Sequence, residues 1–115
     1  MADDAEKVAA AYFGSWRNKE FTTLRRLLAD EVEYEGPLAR HGSGDAVAGA
    51  LEGMAGITVD LVVERTFVDD GDVLTWFVLH TTIAEPTPVA NLMRVENGKI
   101  TRLRAIYDPR GLTSA

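Results

Sequence analysis

Few residues in this chain have the type and setting to do chemistry, and each has a plain structural reading beside the functional one. Tyr12 stands in an apolar helical stripe, where a phenol is either a core tyrosine with a satisfied hydroxyl or a donor aimed at a ligand. Asn91 is a lone amide on an otherwise apolar strand face. A buried amide must find a partner or cost a few kcal/mol, so it either meets another polar group or lines a cavity. His41 and His80 are the two histidines, the side chains that titrate nearest neutral pH. Their separation fits no metal-ligand motif, so no metal is expected. Asp108 precedes Pro109, where an aspartate usually caps a turn and could alternatively serve as a catalytic carboxylate. Gly42-Ser43-Gly44 is a fragment of the G-x-S-x-G nucleophile elbow, but it lies where a helix should begin, so Ser43 or Asp45 reads as an N-cap. Val47 stands where the dinucleotide fingerprint needs its third glycine, and no phosphate-loop lysine exists. No cofactor is implied.

The elements that must position these residues come in two halves. Asp3 and Asp4 can cap a helix in which Val8, Tyr12 and Trp16 recur at four-residue steps, with Ala5, Ala9 and Phe13 beside them. After a break near Asn18 to Glu20, a second helix carries Phe21, Leu24, Leu27 and Leu28. Val32-Glu33-Tyr34-Glu35 alternates as a short strand and stops at Gly36-Pro37. A third helix covers Asp45 to Glu52 and closes at Gly53. Beyond it, Ile57, Val59, Leu61 and Val63 alternate with Thr58, Asp60, Val62 and Glu64. Turn signals at Asp69-Asp70-Gly71, Glu85-Pro86-Thr87-Pro88 and Glu96-Asn97-Gly98 then separate four strands. Helices first and an antiparallel meander afterwards make an α+β chain with the helices on one face of the sheet.

Strand parity decides which residues meet. A three-residue loop at Glu96-Asn97-Gly98, with Gly98 left-handed, pairs Val95 with Lys99 and sets Asn91 opposite Leu103. Val89, Asn91, Met93, Leu103, Ala105 and Tyr107 then share a face, and Arg94, Glu96, Arg102 and Arg104 take the other. The strand from Val73 to His80 is apolar on both faces. The loop before it can have two or three residues, which give opposite parities. His80, with Trp76 and Val78 of the same parity, therefore points either into the molecule, as its neutral-pH acid or base, or out of it. A strand greasy on both faces should be covered on both. Helices can cover one, and a second copy of the sheet would cover the other, making a homodimer through the sheet face. The alternative is that Phe77 and Leu79 are exposed singly, which is common.

Composition bounds the rest. With 115 residues the chain is expected to form a single domain, 1–115, and can bury roughly two-thirds of its unfolded surface. Its 46% hydrophobic and 26% charged content is that of an ordinary soluble protein. There is no cysteine, hence no disulfide framework, thiolate metal site or cysteine nucleophile. A net charge of −6 argues against nucleic acid and anionic lipid as partners; Arg25-Arg26 and the Arg102/Arg104 pair are too small for a phosphate-tracking stripe. The acidic start, Met1 to Lys7, lacks the basic and apolar regions of a signal peptide, and no run approaches a membrane span. A cytoplasmic location is the default expectation.

Two stretches also carry a family resemblance. Tyr12-Phe13 with the run from Phe21 through Leu24-Arg25-Arg26-Leu27-Leu28-Ala29-Asp30-Glu31-Val32-Glu33-Tyr34-Glu35 to Gly36-Pro37 resembles the opening of the NTF2-like superfamily. That superfamily includes ketosteroid isomerases, SnoaL-like polyketide cyclases and limonene epoxide hydrolases. The tail from Asn91 to Asp108 is similar to its final hairpin. The resemblance implies an NTF2-like (cystatin-like) cone, a curved antiparallel sheet wrapped around three N-terminal helices, with one deep apolar pocket and usually a dimer. It matches Tyr12 to the phenol that donates to the substrate oxyanion in the isomerases, and Asn91 to the protonated aspartate that completes their oxyanion hole. It matches Gly36 to their general-base aspartate, so that base is absent, and the neighbouring Glu35 points to the opposite face. The implied pocket would be lined by Trp16, Tyr34, Gly36, Val89 and Met93, then Leu103, Ala105 and Tyr107. Trp76, Val78 and the catalytic candidate His80 would join them if their strand faces inward. Two functions follow as expectations. One is a metal-free SnoaL-like cyclase or isomerase acting on a hydrophobic small molecule that is cyclic or bears a carbonyl. The other is a non-catalytic ligand-binding or dimerisation module; fold alone does not choose between them.

Overall fold

Helix α1, Ala2–Arg17, buries the stripe read from the sequence: Ala5, Ala9, Tyr12, Phe13 and Trp16. The computed structural model describes residues 2–113; Met1, Ser114, Ala115 and the side chains of Ala2 and Asp3 lie outside it, and with them the capping role expected of Asp3. Asp4 lies within the first turn of α1, where a carboxylate complements the helix dipole, and does not cap it. The helix ends as Lys19 turns left-handed (φ 59°) and the Glu20 N–H donates to the Ser15 carbonyl at 2.8 Å. There follow α2 (Phe21–Leu27), β1 (Leu28–Glu35), β2 (Arg40–His41) and α3 (Gly44–Gly53). The Ser43 hydroxyl accepts from the Ala46 N–H at 3.1 Å, so Gly42-Ser43-Gly44 is a helix start and not a nucleophile elbow. Arg25 ties this region together through ion pairs to Asp30 (2.7 Å) and Asp45 (2.8 Å).

The second half is a meander of β3 (Thr58–Asp69), β4 (Asp72–Thr81), β5 (Thr87–Glu96) and β6 (Lys99–Ile106), followed by a short α4 (Arg110–Thr113). The six strands form one curved sheet in the order β2-β1-β6-β5-β4-β3. Contrary to expectation, it is not antiparallel throughout. Strand β1 runs parallel to β6, with Tyr34 beside Leu103 and Glu35 beside Arg104. The long excursion from α3 through β5 supplies the crossover that a parallel pair requires. Local patterning carries no sign of this pairing, because its partners lie at opposite ends of the chain.

Both hairpin turns settle a parity. At the β5–β6 turn Glu96 pairs with Lys99, so the loop is Asn97-Gly98 alone and not the expected three residues. Both residues are left-handed (φ 53° and 76°), the turn whose twist suits two antiparallel strands. A bulge then follows: Val95 pairs with Ile100 but Arg94 with Arg102, leaving Thr101 as an extra residue. The Thr101 hydroxyl donates to the Glu96 carboxylate at 2.8 Å. The bulge returns the strand to the parity the longer loop would have given. Val89, Asn91, Met93, Leu103 and Ala105 are accordingly all buried on one face, although Asn91 pairs with Ala105 and not with Leu103.

At the β3–β4 turn Asp69 pairs with Asp72 across Asp70-Gly71. Further along, Val63 pairs with Phe77 but Arg65 with Trp76, so Glu64 is an extra residue in β3. With turn and bulge combined, Val73, Thr75, Phe77 and Leu79 face inward and are buried, Leu79 opposite the buried Leu61. Helix α1 packs on β3, β4 and β5 from that side, and α3 packs on β1. Phe13 lies against Phe77 at 5.0 Å between ring centres, and Trp16 meets Phe77 edge-on at 5.7 Å. On the outer face the register aligns Leu74 with Leu92, and Trp76 with Ala90 and through it Ile106. Leu74, Trp76, Leu92 and Ile106 are all exposed, Trp76 at 41%.

Candidate functional site

Tyr12 and Asn91 arrive at one place from opposite ends of the chain. The helical stripe of α1 turns Tyr12 and Trp16 toward the sheet, and the odd parity of β5 turns Asn91 toward the helix. Both line a small cavity of about 50 Å³, closed also by Tyr34, Phe77, Leu79, Val89, Ala105 and Tyr107, with Leu51 and Met54 from the α3 region and Leu112 from α4. That volume is several times the roughly 10–15 Å³ a single water needs and far below the roughly 300 Å³ of a pocket for a drug-sized ligand. The walls are apolar apart from three phenols, an indole and a carboxamide. No carboxylate, histidine, lysine or arginine is among the lining residues described.

The polar groups are poorly served by the protein. Asn91 is 3% exposed and its Oδ1 has no hydrogen-bond partner among the described residues; the Nε1 of Trp16, 7% exposed, has none either. Tyr12 is 1% exposed. Burial, with the nearby Tyr34 adding to it, pushes its phenol far above the ordinary tyrosine range. Burial also pushes Tyr34 up to about 12, helped by Tyr107. Tyr107 is raised by burial and pulled partly back by its hydrogen bond with Tyr34. All three phenols are therefore protonated at neutral pH and act as donors, not bases.

Gly36 does not line the cavity. A Cβ there would stand 2.6 Å from the Tyr34 hydroxyl, so that phenol leans over the glycine and fills the space a side chain would take. Tyr34 also meets His41, paired with it across β1–β2, the rings 5.7 Å apart. Glu35 points away, ion-paired to Arg40 at 2.6 Å.

Of the residues singled out from the sequence, Tyr12, Trp16, Tyr34, Val89, Asn91, Ala105 and Tyr107 meet at the cavity. His80, Trp76 and Val78 do not, because the two-residue turn and a bulge at Glu64 of β3 together give β4 the parity that sends even positions outward, with Leu79 and not His80 opposite the buried Leu61. His80 instead pairs in register with Asp60, which also binds Arg17 at 2.8 Å. Met93 and Leu103 face inward but are core, both fully buried and outside the lining. Alternation gives the face, not the depth along the strand. Asp108 is exposed and holds α4: its carboxylate accepts from the Arg110 N–H and pairs with that guanidinium at 2.6 Å, which keeps its pKa down at about 2. Sequence reasoning missed Phe77 and Leu79, the other parity of β4, together with Leu51, Met54 and Leu112, whose short segments carry no periodic signal.

Comparison with known proteins bears on this arrangement. A model of the SnoaL-like domain matches residues 9–103. An NTF2-like protein of unknown function from Cytophaga hutchinsonii superposes with a TM-score of 0.86 at 19% identity, covering 94% of this chain and 93% of its own. An M. tuberculosis LEH-like epoxide hydrolase gives 0.83 at 24% identity, over 96% and 86% of the two chains. A Catenulispora acidiphila protein with a ketosteroid isomerase-like fold, in complex with trimethylamine, gives 0.77 at 18%, over 88% and 85%. At these identities the likeness speaks for the fold. No curated protein sequence matches the chain. No helix among the described residues is long and apolar enough to cross a membrane.

Proposed function

The chain belongs to the SnoaL-like domain family, and from that premise we propose that its cavity binds a small, largely apolar molecule by an oxygen held against Tyr12 and Asn91. The observation that carries the proposal is that Tyr12 and Asn91, from opposite ends of the chain, line one cavity whose walls are otherwise mostly apolar. A cyclic or carbonyl-bearing molecule suits the apolar walls.

The lining favours binding over acid–base catalysis. Donors aimed at an oxygen can stabilise developing negative charge. Removing a proton from carbon needs a base within hydrogen-bond reach. The phenols are raised, Gly36 offers no side chain, and His80 is on the other face. A cyclase or isomerase reading keeps only the donor half of such a mechanism. The non-catalytic binding module is thus the better supported of the two.

We include in the proposal a homodimer through the outer sheet face and a cytoplasmic setting. Leu74, Trp76, Leu92 and Ile106 are aligned there without a helix to cover them. Ion pairs border the patch at its Leu74–Leu92 end, Arg94 with Asp72 at 3.1 Å and Arg102 with Glu33 at 3.6 Å, as polar groups do at the rim of an interface.

Native mass spectrometry of the purified protein, with thermal shifts against small cyclic ketones and ethers, tests the binding. A bound mass or a concentration-dependent rise in Tm is expected, and its loss in the Tyr12→Phe/Asn91→Leu double variant. A protein that none of these molecules stabilises would refute the reading.

A further inference from the structure

The residues around the small cavity sort by exposure into a floor and a rim. Those supplied by α1, β4 and β5, with Ala105 of β6, are buried; Tyr34, Leu51, Met54, Tyr107 and Leu112 are half-buried. The cavity therefore comes nearest to solvent where these five meet. A space of about 50 Å³ walled by close-packed side chains lets no organic molecule in unless part of the rim gives way.

The five are not held alike. Tyr34 lies in β1 between its two partner strands, and Tyr107 follows β6 and is hydrogen-bonded to Tyr34. Leu51 and Met54 close α3, and the Met54 carbonyl accepts from both the N–H (3.1 Å) and the hydroxyl (2.8 Å) of Thr58 in β3. Leu112 stands on α4, a helix of 4 residues, far short of the roughly 12–15 at which an isolated helix begins to hold its own shape. The Leu112 N–H donates to the Pro109 carbonyl at 3.0 Å and Arg110 binds Asp108, bonds that stay within the segment. Arg110, Gly111 and Thr113 are exposed. What seats α4 on the body is Leu112 in the rim and Gly111 on Ala84 of the 82–86 loop. A Cβ on that glycine would stand 3.0 Å from the Ala84 Cβ. Ala84 is half-buried there, while Ile83 and Glu85 beside it are exposed. Parting these contacts frees α4 and leaves every strand in place, a local opening that costs far less than unfolding.

Resting on the binding reading above, we propose that α4 is a strap across the mouth of the cavity, with Leu112 its plug and Gly111 its seat, and that small molecules pass only when the strap lifts from Ala84. Leu112 then governs how fast a ligand comes and goes, while Tyr12 and Asn91 beneath it govern what is held.

Two substitutions loosen the strap from different ends. Gly111→Val forces α4 off Ala84 and leaves every lining side chain intact; Leu112→Ala keeps the seat and shrinks the plug. The first readout needs no ligand affinity: acrylamide quenching of Trp16 fluorescence, in full chains that also carry Trp76→Phe so that Trp16 is the sole tryptophan. Each substitution is expected to raise the quenching rate constant about tenfold, the change in opening equilibrium that accompanies loss of one partly buried aliphatic contact. Denaturation curves verify that each variant is fully folded where the quenching is measured. The second readout is NMR exchange of cyclopentanone with Gly111→Val. Its association and dissociation rates should rise together while Kd moves less than about threefold. Unchanged quenching in both variants overturns the strap, whatever cyclopentanone does. A rise in Leu112→Ala alone also overturns it, since a truncated side chain would then have left a hole with no strap lifted. Raised quenching with unchanged cyclopentanone rates overturns passage of the ligand by this route. Raised quenching in both variants, with no cyclopentanone bound by any chain, keeps the strap and sinks the binding reading alone.

Discussion

Strand β4 presents two apolar faces that differ almost wholly in their surroundings. Val73, Thr75, Phe77 and Leu79 lie under α1 and are buried; Leu74 and Trp76 on the reverse are exposed, with Val78 and His80 half-buried. The inner face is a packed aromatic cluster with a small hollow at its edge. The outer face is a greasy strip with a charged border. Hydrophobicity alone does not make a core: what distinguishes the faces is that three helices come from one end of the chain and can lie on only one of them.

The contrast can be broken most strongly from inside. Phe77→Ala removes a ring packed on Phe13 and Trp16 and should cost about 3–5 kcal/mol of unfolding free energy, read from urea or guanidinium denaturation. A loss under about 1 kcal/mol would mean the two faces are energetically alike. A second probe is alkaline pH, which titrates the inner-face phenols. Tyr12 and Tyr34 keep their protons in the fold beyond the pH near 10 where the unfolded chain loses them. Their contribution is complete below about pH 10 and declines as pH climbs toward 12, because the native state then holds more protons than the unfolded one. Denaturation curves from pH 8 to 11.5 should show this fall, and Tyr34→Phe should flatten it. An unchanged slope in that variant would remove Tyr34 from the account. The smallest stability effect belongs outside. Trp76→Glu should alter the unfolding free energy of the protomer itself by less than about 0.5 kcal/mol, apart from what association contributes, and convert a dimer to a monomer in light scattering coupled to size exclusion. A wild-type monomer at micromolar concentration would sink the sheet-face dimer.

Legibility in the sequence followed the range of the interactions. Helix α1 and its stripe could be read because 3.6-residue periodicity is local, and Ser43 as a cap because capping spans three residues. Asn91 could be placed on the inner face although both steps used to place it were off. The turn is one residue shorter than expected, and Thr101 adds the residue back. For β4 the alternation was visible but its sense hung on the loop at Asp70-Gly71 and on a bulge at Glu64 of β3, which nothing in the local pattern announces. What could not be read is long-range: β1 beside β6, Leu112 folding back over the cavity, and the Tyr34 phenol settling over Gly36. None leaves a pattern in neighbouring residues.

The surplus residue at Thr101 has an evolutionary corollary. It acts as a counterweight to the brevity of the Asn97-Gly98 turn, so neither can change length by itself without rotating every later side chain of β6 half a pleat. Leu103, Ala105 and Tyr107 would swing to the solvent while arginines entered the hollow. Insertions and deletions in this hairpin can therefore survive only in matched pairs, and relatives whose final turn is longer should have lost the extra residue downstream.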